Sequence, residues 1–197
     1  LQVEPGTSVA DLTCGAGAFI NHFGGTKFYG LEIDTDAADV ARYLYPESEI
    51  ETGDIRGWTP QAKFGMIVGN PPFALRWSVP NCPLANDVGE AASEDVFLWK
   101  AAQSLSIGGT LCFIAPASWL NDDIVNAKAL AFIAEKFVRV SEVLLPHDAF
   151  KAVGVENFST KIILLRSLAP GEKSAPSSPV TIDGRALSFE QILSEWR

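Results

Sequence analysis

The sequence is poor in the residue types that build covalent or metal-bound frameworks. Among 197 residues there are three cysteines, Cys14, Cys82 and Cys112, and no two of them have the C-x-x-C spacing. This odd, scattered set argues against a disulfide framework and a structural zinc site, and it fits a reducing, cytoplasmic location. The two histidines, His22 and His147, stand far apart without a nearby cysteine. We therefore expect no bound metal.

Long apolar runs and a signal segment are also missing from the sequence. No apolar run approaches the roughly 20 residues that cross a bilayer, so we expect no membrane association. No basic stretch followed by an apolar block begins the chain, so its start does not resemble a signal peptide. Because the first residue is Leu1 rather than Met, we expect that a further segment precedes it.

Basic residues are scarce relative to acidic ones. The chain has 15 Lys and Arg against 24 Asp and Glu, a formal net charge of −9. Nucleic-acid affinity depends largely on Lys and Arg that neutralise phosphates. This balance argues against an autonomous DNA-binding protein, but it is compatible with a catalytic domain whose grip on DNA lies on another domain or subunit.

What the sequence does contain is a regular alternation of short apolar strands and helices. Its length fits one domain with a substantial core. The repeated alternation predicts an α/β domain whose mostly parallel sheet is covered on both faces by helices. The predicted strands are 8–12, 27–33, 64–68, 111–115, 138–145 and 161–165, and the predicted helices are 35–44, 93–105 and one within 122–137.

Two stretches depart from this alternation. Residues 71–92 contain four prolines and no sustained period, and we interpret them as a substrate lid, because long loops in compact domains are usually functional. Residues 169–179 are rich in Pro, Ser and Gly and are typical of a linker. We therefore expect a catalytic domain at 1–168 and a short extension at 180–197 that contains a strand and a small helix.

A glycine-rich turn follows the first predicted strand. Gly15 and Gly17 allow the backbone to approach a ligand closely, although such a turn serves many nucleotides or is simply a tight turn. The third glycine of the dinucleotide fingerprint is replaced by Ile20, which argues against NAD or FAD. This turn alone is weak evidence for a particular cofactor.

Acidic residues follow the next two predicted strands. Glu32 stands 17 positions after Gly15, close to the spacing at which a carboxylate binds a ribose, although a solvated surface carboxylate has the same pattern. Asp54 follows Gly53, where it is suited to accept a hydrogen bond from an adenine amino group or merely forms a turn. Both residues are expected at the edge of the sheet where the glycine turn lies.

The strongest motif is Asn70-Pro71-Pro72-Phe73, directly after the strand 64–68. It falls at the carboxyl edge of the sheet, where open α/β folds bind ligands. Two consecutive prolines fix the backbone, so that an Asn amide and the Pro71 carbonyl can both point at one spot beside an aromatic ring. A strand-terminating turn without chemistry is the alternative interpretation.

In this combination and order, the motifs resemble those of the amino-group DNA methyltransferases. The resemblance is to the N6-adenine enzymes in which the cofactor motif precedes the N-P-P-[FYW] motif, as in type I modification subunits of restriction-modification systems. It implies a Rossmann-like class I methyltransferase fold with a mostly parallel seven-stranded sheet, and S-adenosyl-L-methionine as cofactor. The motifs that match are residues 11–19, 30–34, 53–54 and 70–73.

The resemblance also implies roles for particular residues. The implied catalytic residues are Asn70, Pro71, Pro72 and Phe73. The implied cofactor-binding residues are Asp11, Thr13, Gly15, Gly17, Phe19, Glu32, Ile33, Asp54, Ile55 and Asn70. Looser matches follow at 108–111, 145–146, 154–155 and 160–162, and there either Phe150 or Phe158 is expected to stack on the target base beside Phe73.

Two departures from the family and two rival functions remain. Only ten residues precede Asp11, where the family normally has a segment that completes the cofactor pocket, and about 30 residues follow Ser167, too few for an independent DNA reader. DNA recognition is therefore expected from another domain or subunit.

Two rival functions stay open. One is a protein glutamine N5-methyltransferase, which usually has Tyr where Phe73 stands, and the other is an inactive methyltransferase-fold module of a larger assembly.

Overall fold

The computed structural model describes residues 3–24, 26–121, 124–151, 154, 158–174, 179–186 and 191. Val155 of the looser motif matches, and residues 187–190 and 192–197 of the expected extension, lie outside the described residues. The strands are β1 (Ser8–Asp11), β2 (Lys27–Glu32), β3 (Glu49–Thr52), β4 (Phe64–Gly69), β5 (Arg76–Ser78), β6 (Glu90–Ala92), β7 (Leu105–Pro116), β8 (Phe137–Leu144), β9 (Thr160–Ser167) and β10 (Val180–Asp183). The α-helices are α1 (Thr35–Leu44), α2 (Ser93–Ser104) and α3 (Ala127–Lys136).

The main sheet confirms the predicted α/β class. Its eight strands lie in the order β10-β8-β9-β7-β4-β1-β2-β3. Five of the neighbouring pairs are parallel, and among these described strands only β9 runs antiparallel to its two neighbours, β7 and β8. The expected number of strands was seven, and the additional one is β10, the short strand that the 180–197 segment was expected to contain. It joins the sheet through parallel pairing with β8.

Helices cover both faces of this sheet, as predicted. Successive strand residues alternate between two core clusters, so that Val9 lies in one and Ala10 in the other. The cluster with Val9 contains the buried alanines of α1, and the cluster with Ala10 contains the apolar residues of α2 and α3. Because side chains of a strand alternate between faces, the two clusters lie on opposite sides of the sheet.

The segment 71–92, predicted as an irregular lid, contains a two-stranded antiparallel hairpin of β5 and β6. Its connection is closed by Asn86, whose side-chain oxygen accepts hydrogen bonds from the backbone N–H groups of Val88 (3.1 Å) and Glu90 (2.9 Å). Asn side chains that bond the backbone two residues on replace a backbone turn. The strands were overlooked because each spans only three residues.

The segment after the glycine turn consists of turns followed by a 3-10 helix at Ile20–His22. Gly15 and Gly17 have φ angles of +55° and +90°, which an α-helix cannot contain. The helix that commonly follows a strand and a glycine turn is therefore replaced by a short connection. Within this turn the Gly15 N–H donates a hydrogen bond to a neighbouring side chain, the carboxylate of Glu32.

Helix α1 contacts β3, which is the strand at one edge of the sheet. Arg42 of α1 donates hydrogen bonds to the backbone carbonyl of Ile50 from Nε (3.1 Å) and Nη2 (3.0 Å), and another to the Thr52 hydroxyl (2.7 Å). The positively charged side chain of Arg42 therefore already donates to a backbone carbonyl of this edge strand. Separately, none of the helices in the described ranges is long and apolar enough to cross a membrane.

Candidate active site

A cavity of about 540 Å³ opens at the carboxyl ends of the four adjacent parallel strands β4, β1, β2 and β3. This volume falls within the range of small-molecule sites, and the location is the one at which open α/β sheets bind ligands. The walls are formed by residues from the ends of these strands and from the segment before and within β5. They are Leu12, Thr13, Glu32, Ile33, Gly53, Asp54, Ile55, Arg56, Asn70, Pro72, Leu75 and Trp77.

The structure brings most of the predicted cofactor residues to this cavity. Thr13, Glu32, Ile33, Asp54, Ile55 and Asn70 line it, whereas Asp11, Gly15, Gly17 and Phe19 are not among its lining residues. Phe19 is half-buried and packs against the core cluster that contains α1. A second cavity of about 830 Å³ lies at the amino ends of these strands, opposite the first cavity, and none of the predicted site residues lines it.

Glu32 ties the glycine turn to the end of β2. Its Oε2 accepts a hydrogen bond from the Gly15 N–H (2.7 Å), and its Oε1 accepts one from the Asp34 N–H (2.8 Å). Each carboxylate oxygen has further lone pairs, so Glu32 can still accept hydrogen bonds from a ribose. The carboxylate is therefore held in place before any ligand binds.

Gly17 is required by the local geometry of this turn. Its φ angle is +90°, and a Cβ atom added there would lie 2.7 Å from the ring of Tyr45 and 2.8 Å from Ile20. Any other residue would be strained in its backbone and would also clash. The close packing explains a glycine at this position independently of ligand contact.

Asp11 supports the turn from behind rather than facing the cavity. Only 2% of it is exposed, and its carboxylate accepts hydrogen bonds from the N–H (2.9 Å) and the hydroxyl (3.4 Å) of Thr13. Burial raises the pKa of Asp11 to about 7, against the lowering effect of the Thr13 hydrogen bonds. The side chain therefore fixes Thr13 at the cavity wall and titrates near neutral pH.

Asp54 is paired with Arg56, a residue that the sequence analysis overlooked. The Arg56 guanidinium donates hydrogen bonds to the carboxylate of Asp54, at 2.8 Å from Nε and 2.5 Å from Nη2 to Oδ2, and these bonds lower the pKa of Asp54. The Arg56 Cζ atom also lies 5.8 Å from the centre of the Trp77 ring, within the range of a cation–π contact. Arg56 thus bridges Asp54 and the β5 wall of the cavity.

The Asn70-Pro71-Pro72-Phe73 turn forms the other side of the cavity mouth. Pro71 is buried, whereas Asn70 is exposed, and within the described ranges the Asn70 side chain makes no hydrogen bond. The preceding Gly69 lets α2 approach closely, since an added Cβ there would lie 2.4 Å from the ring of Phe97. An anchored turn therefore presents a polar group whose hydrogen-bonding capacity is unused.

The structure separates the two candidate stacking aromatics. The rings of Phe73 and Phe158 are stacked, with centroids 5.5 Å apart and an interplanar angle of 15°. Phe150 is half-buried in the turn after β8, and no ring contact of it is found in the described part of the chain. Phe158, just before β9, is therefore the residue that the fold brings to the N-P-P-F turn.

The residues of the cavity fit S-adenosyl-L-methionine chemically. Glu32 and Asp54 supply carboxylate oxygens for hydroxyl and amino groups, and Glu32 supplies negative charge toward a sulfonium, whereas the charge of Asp54 is offset by Arg56. Ile33 and Ile55 supply apolar walls for a flat base, and Ile33 is 62% exposed. Within the described residues no group of three or more His, Cys, Asp or Glu side chains could hold a metal ion.

Comparison with solved structures identifies the fold class. The chain superposes on a class I S-adenosylmethionine-dependent methyltransferase of Listeria monocytogenes with a TM-score of 0.79 and 15% identity, over 99% of this chain and 64% of that one. It also matches a modification subunit of a type I restriction enzyme from Vibrio vulnificus, with a TM-score of 0.71 and 15% identity, over 98% and 49% of the two chains. The chain therefore has the class I methyltransferase fold, and the expected cofactor, S-adenosyl-L-methionine, is the one on which this class depends.

Sequence relatives indicate which kind of methyltransferase the chain resembles. No family model matches the chain. The type II methyltransferase M.TthHB8I of Thermus thermophilus is 31% identical over 138 residues, which are 60% of this chain and 31% of the relative. The type II methyltransferase M.CvrRI of Paramecium bursaria Chlorella virus XZ-6E is 26% identical over 173 residues, 85% and 44% of the two chains. These relatives confirm the resemblance to the modification methyltransferases. The chain spans less than half the length of either relative.

Proposed function

We propose that this chain is the catalytic domain of a methyltransferase that transfers a methyl group from S-adenosyl-L-methionine to the N6 amino group of adenine in DNA. The observation that carries the proposal is that Glu32, at the end of β2, lines one cavity with Asn70 and Pro72 of the N-P-P-F turn, while Phe158 stacks on Phe73 of the same turn. The similarity to type II methyltransferases and to a type I modification subunit supports DNA as the substrate.

The cofactor half of the site lies at the ends of β1, β2 and β3. The residues that would hold the cofactor are Glu32, which would accept hydrogen bonds from the ribose, Asp54, which would accept one from the cofactor adenine, and Ile33 and Ile55, which would contact the faces of that adenine. When bound, S-adenosyl-L-methionine supplies an electrophilic methyl group on a positively charged sulfur. The carboxylates near the cavity favour that charge electrostatically.

The substrate half holds the amino group that reacts. The Asn70 side-chain oxygen and the Pro71 carbonyl accept hydrogen bonds from the adenine amino group, which turns its lone pair toward the methyl carbon. With the cofactor bound, the amino nitrogen would take up the methyl group as S-adenosyl-L-homocysteine leaves, and the nitrogen would then release a proton to water. The two acceptors stabilise the positive charge that the nitrogen gains during this displacement.

The aromatic pair receives the base. In a duplex the amino group is inaccessible, so the base must leave the helix at an unstacking cost of a few kcal/mol. Phe73 and Phe158 are already nearly parallel, and base stacking replaces part of the contact between the two rings. The base therefore exchanges its neighbours in the duplex for aromatic neighbours in the protein.

The proposal assigns sequence recognition and most of the DNA affinity to another domain or subunit. The net charge of −9 and the partial coverage of the relatives both support this division. The cytoplasmic location stays a prediction. The negative charge also favours a protein substrate, which makes glutamine N5 methylation the alternative that an experiment must distinguish.

Methyl-labelled S-adenosyl-L-methionine, unmethylated DNA and bacterial cell protein test the proposal together. We expect label on adenine N6, located by digestion and mass spectrometry. Label on cytosine would overturn the choice of base, and label on protein glutamine would replace the substrate. Absence of label in both DNA and protein from this chain alone would indicate that the DNA-binding domain or subunit is required, and only the same result with the full-length protein in its cofactor-bound form would support the inactive module.

Asn70→Ala tests the assigned chemistry. We expect turnover to fall by about 100-fold or more, because a positioned polar group at the reacting centre is lost. Cofactor affinity, measured by calorimetry, should change much less. Asn21→Ala is the matched control, since Asn21 is an exposed asparagine in the 3-10 helix after the glycine turn. Unchanged turnover in Asn70→Ala would exclude the proposed mechanism.

A further inference from the structure

Two polar side chains at the start of α2 are completely enclosed by the protein. Ser93 is 0% exposed and Glu94 is 2% exposed, although both are residue types that usually lie at the surface. A buried carboxylate is costly unless hydrogen bonds compensate it. Their partners therefore show what the burial accomplishes.

The partners belong to the two residues that directly follow the N-P-P-F turn. The Ala74 N–H donates to Glu94 Oε1 (2.8 Å), and the Leu75 N–H donates to Ser93 Oγ (3.2 Å). The Ser93 hydroxyl donates to Glu94 Oε2 (3.1 Å), and the Ser93 N–H donates to the Leu75 carbonyl (2.9 Å). Three of these hydrogen bonds fasten residues 74–75 to the first turn of α2, and the other joins the two polar side chains.

Ala74 has an unusual backbone conformation. Its φ angle is +56°, in the left-handed region that non-glycine residues adopt only when their surroundings impose it. The chain changes direction there, immediately after Phe73, before it enters β5. The hydrogen bond from Ala74 to Glu94 is therefore in the right place to hold this conformation.

The position of Glu94 within α2 makes its charge tolerable. It is the second residue of the helix, where free backbone N–H groups and the helix dipole favour an anion. The carboxylate accepts the Ala74 and Ser93 hydrogen bonds in addition to this field. The start of α2 is consequently a fixed support behind the turn.

We propose that Ser93 and Glu94 form a positioning pair for the N-P-P-F turn. By holding Ala74 in its left-handed conformation, the pair fixes the direction of the Phe73 ring and the placement of Asn70 relative to the target base. Neither residue is assigned contact with the substrate or the cofactor. The catalytic consequence rests on the proposed function, whereas the conformational consequence does not.

Hydrogen exchange of backbone amides tests the conformational part without requiring activity. We expect slow exchange of the Ala74 and Leu75 amides in the wild-type chain and faster exchange in Glu94→Ala. Glu94→Gln keeps an oxygen that accepts the Ala74 N–H, so its Ala74 amide should stay slow. Glu90→Ala is the control, because Glu90 is an exposed glutamate of β6. Equal exchange in the wild type and Glu94→Ala would overturn the positioning pair.

Kinetics test the catalytic part. We expect Glu94→Ala to lower kcat on DNA on the order of 100-fold, as small misplacements in an active site do, with the cofactor dissociation constant unchanged and with recovery in Glu94→Gln. If turnover and the folded fraction of Glu94→Ala fall in parallel, Glu94 has only a structural role and the catalytic part of the proposal is overturned. If the wild-type protein, assayed together with its DNA-binding domain or subunit, methylates no DNA while the amide exchange follows the expected pattern, the result counts against the proposed function and not against the positioning pair.

Discussion

The two halves of the site differ in how complete they are without a ligand. In the cofactor half, Glu32 already holds the glycine turn and Asp54 is already paired with Arg56. In the substrate half, Asn70 is exposed without a side-chain hydrogen bond among the described residues, and Phe158 occupies the face of a second ring. The proposed cofactor half is therefore organised by internal contacts, whereas the proposed substrate half leaves the Asn70 side chain available for hydrogen bonding.

The two halves also differ in how far apart in the sequence their contacting residues lie. Asp11 bonds Thr13 and Asp54 bonds Arg56, so much of the cofactor half is built by contacts between residues two positions apart. The stacking of Phe158 in the substrate half instead joins the segment before β9 to the turn after β4. Local contacts preorganise a site at low entropic cost, whereas distant ones depend on the packing of the whole domain.

The largest effect is expected in the cofactor half, where Asp11 is buried. Its pKa is raised from 3.8 to about 7, so the folded state binds its proton more tightly than the unfolded state. The stabilisation is fully present below about pH 4 and is lost as the pH rises through 7. At about 1.4 kcal/mol per pKa unit, up to about 4 kcal/mol of unfolding free energy is involved.

Denaturant unfolding of the wild type and Asp11→Asn between pH 4 and 8 measures this effect. The substituted amide keeps an acceptor for the Thr13 N–H but does not titrate, so the variant should gain stability relative to the wild type as the pH rises. Asp54→Asn should differ from the wild type by a constant amount over this range, because the Asp54 pKa is lowered from 3.8 and its contribution is lost only on stronger acidification. A constant difference between wild type and Asp11→Asn across this range would contradict the raised pKa.

A smaller effect is expected from Gly17→Ala, which breaks the packing of the glycine turn. The new methyl group would meet Tyr45 at 2.7 Å, and overpacking of this kind costs about 1–3 kcal/mol. Gly6→Ala is the matched control, because Gly6 has a similar φ of +85° but nothing within 4 Å. Both variants share the backbone strain, so the difference between their unfolding free energies isolates the clash. Cofactor affinity should fall only in Gly17→Ala.

The smallest effect is expected from Phe158→Ala in the substrate half. Base stacking on an aromatic side chain contributes about 1–3 kcal/mol, and the lower end applies here because Phe158 is 37% exposed. We expect weaker productive binding of DNA, seen as a higher KM, with unchanged cofactor affinity. Phe150→Ala serves as the comparison, and a larger loss in that variant would reverse the assignment of the stacking residue.

The sequence was sufficient to place Glu32, Asp54 and Asn70 at one edge of the sheet because the signals for strand ends are local. Helix α1 was predicted with its bounds at 35–44, and the ends of β1, β2 and β4 fall within one residue of the predicted ends. Strand ends in a parallel sheet share one edge, so Glu32, Asp54 and Asn70 could be placed together from their positions alone. These residues do line one cavity.

The remaining features depend on tertiary contacts that no local pattern reveals. Glu94 gave no signal beyond its place in the predicted helix 93–105, since its partner Ala74 lies 20 positions earlier. Phe150 and Phe158 were equivalent in sequence, and the path of the chain into β9 separates them. Arg56 gave a usable signal, because a cation two residues after a carboxylate can fold back onto it, as it does here.

The contact of Arg42 with the last strand of the sheet bears on how the protein behaves at high concentration. Exposed edge strands are templates for pairing with another chain, and charged side chains on the edge are one way in which proteins prevent this. At β3 a guanidinium already occupies the carbonyl of Ile50, and Glu49 and Glu51 add negative charge to the same strand. We therefore expect this border of the sheet to pair with another chain less readily than an unoccupied edge strand would.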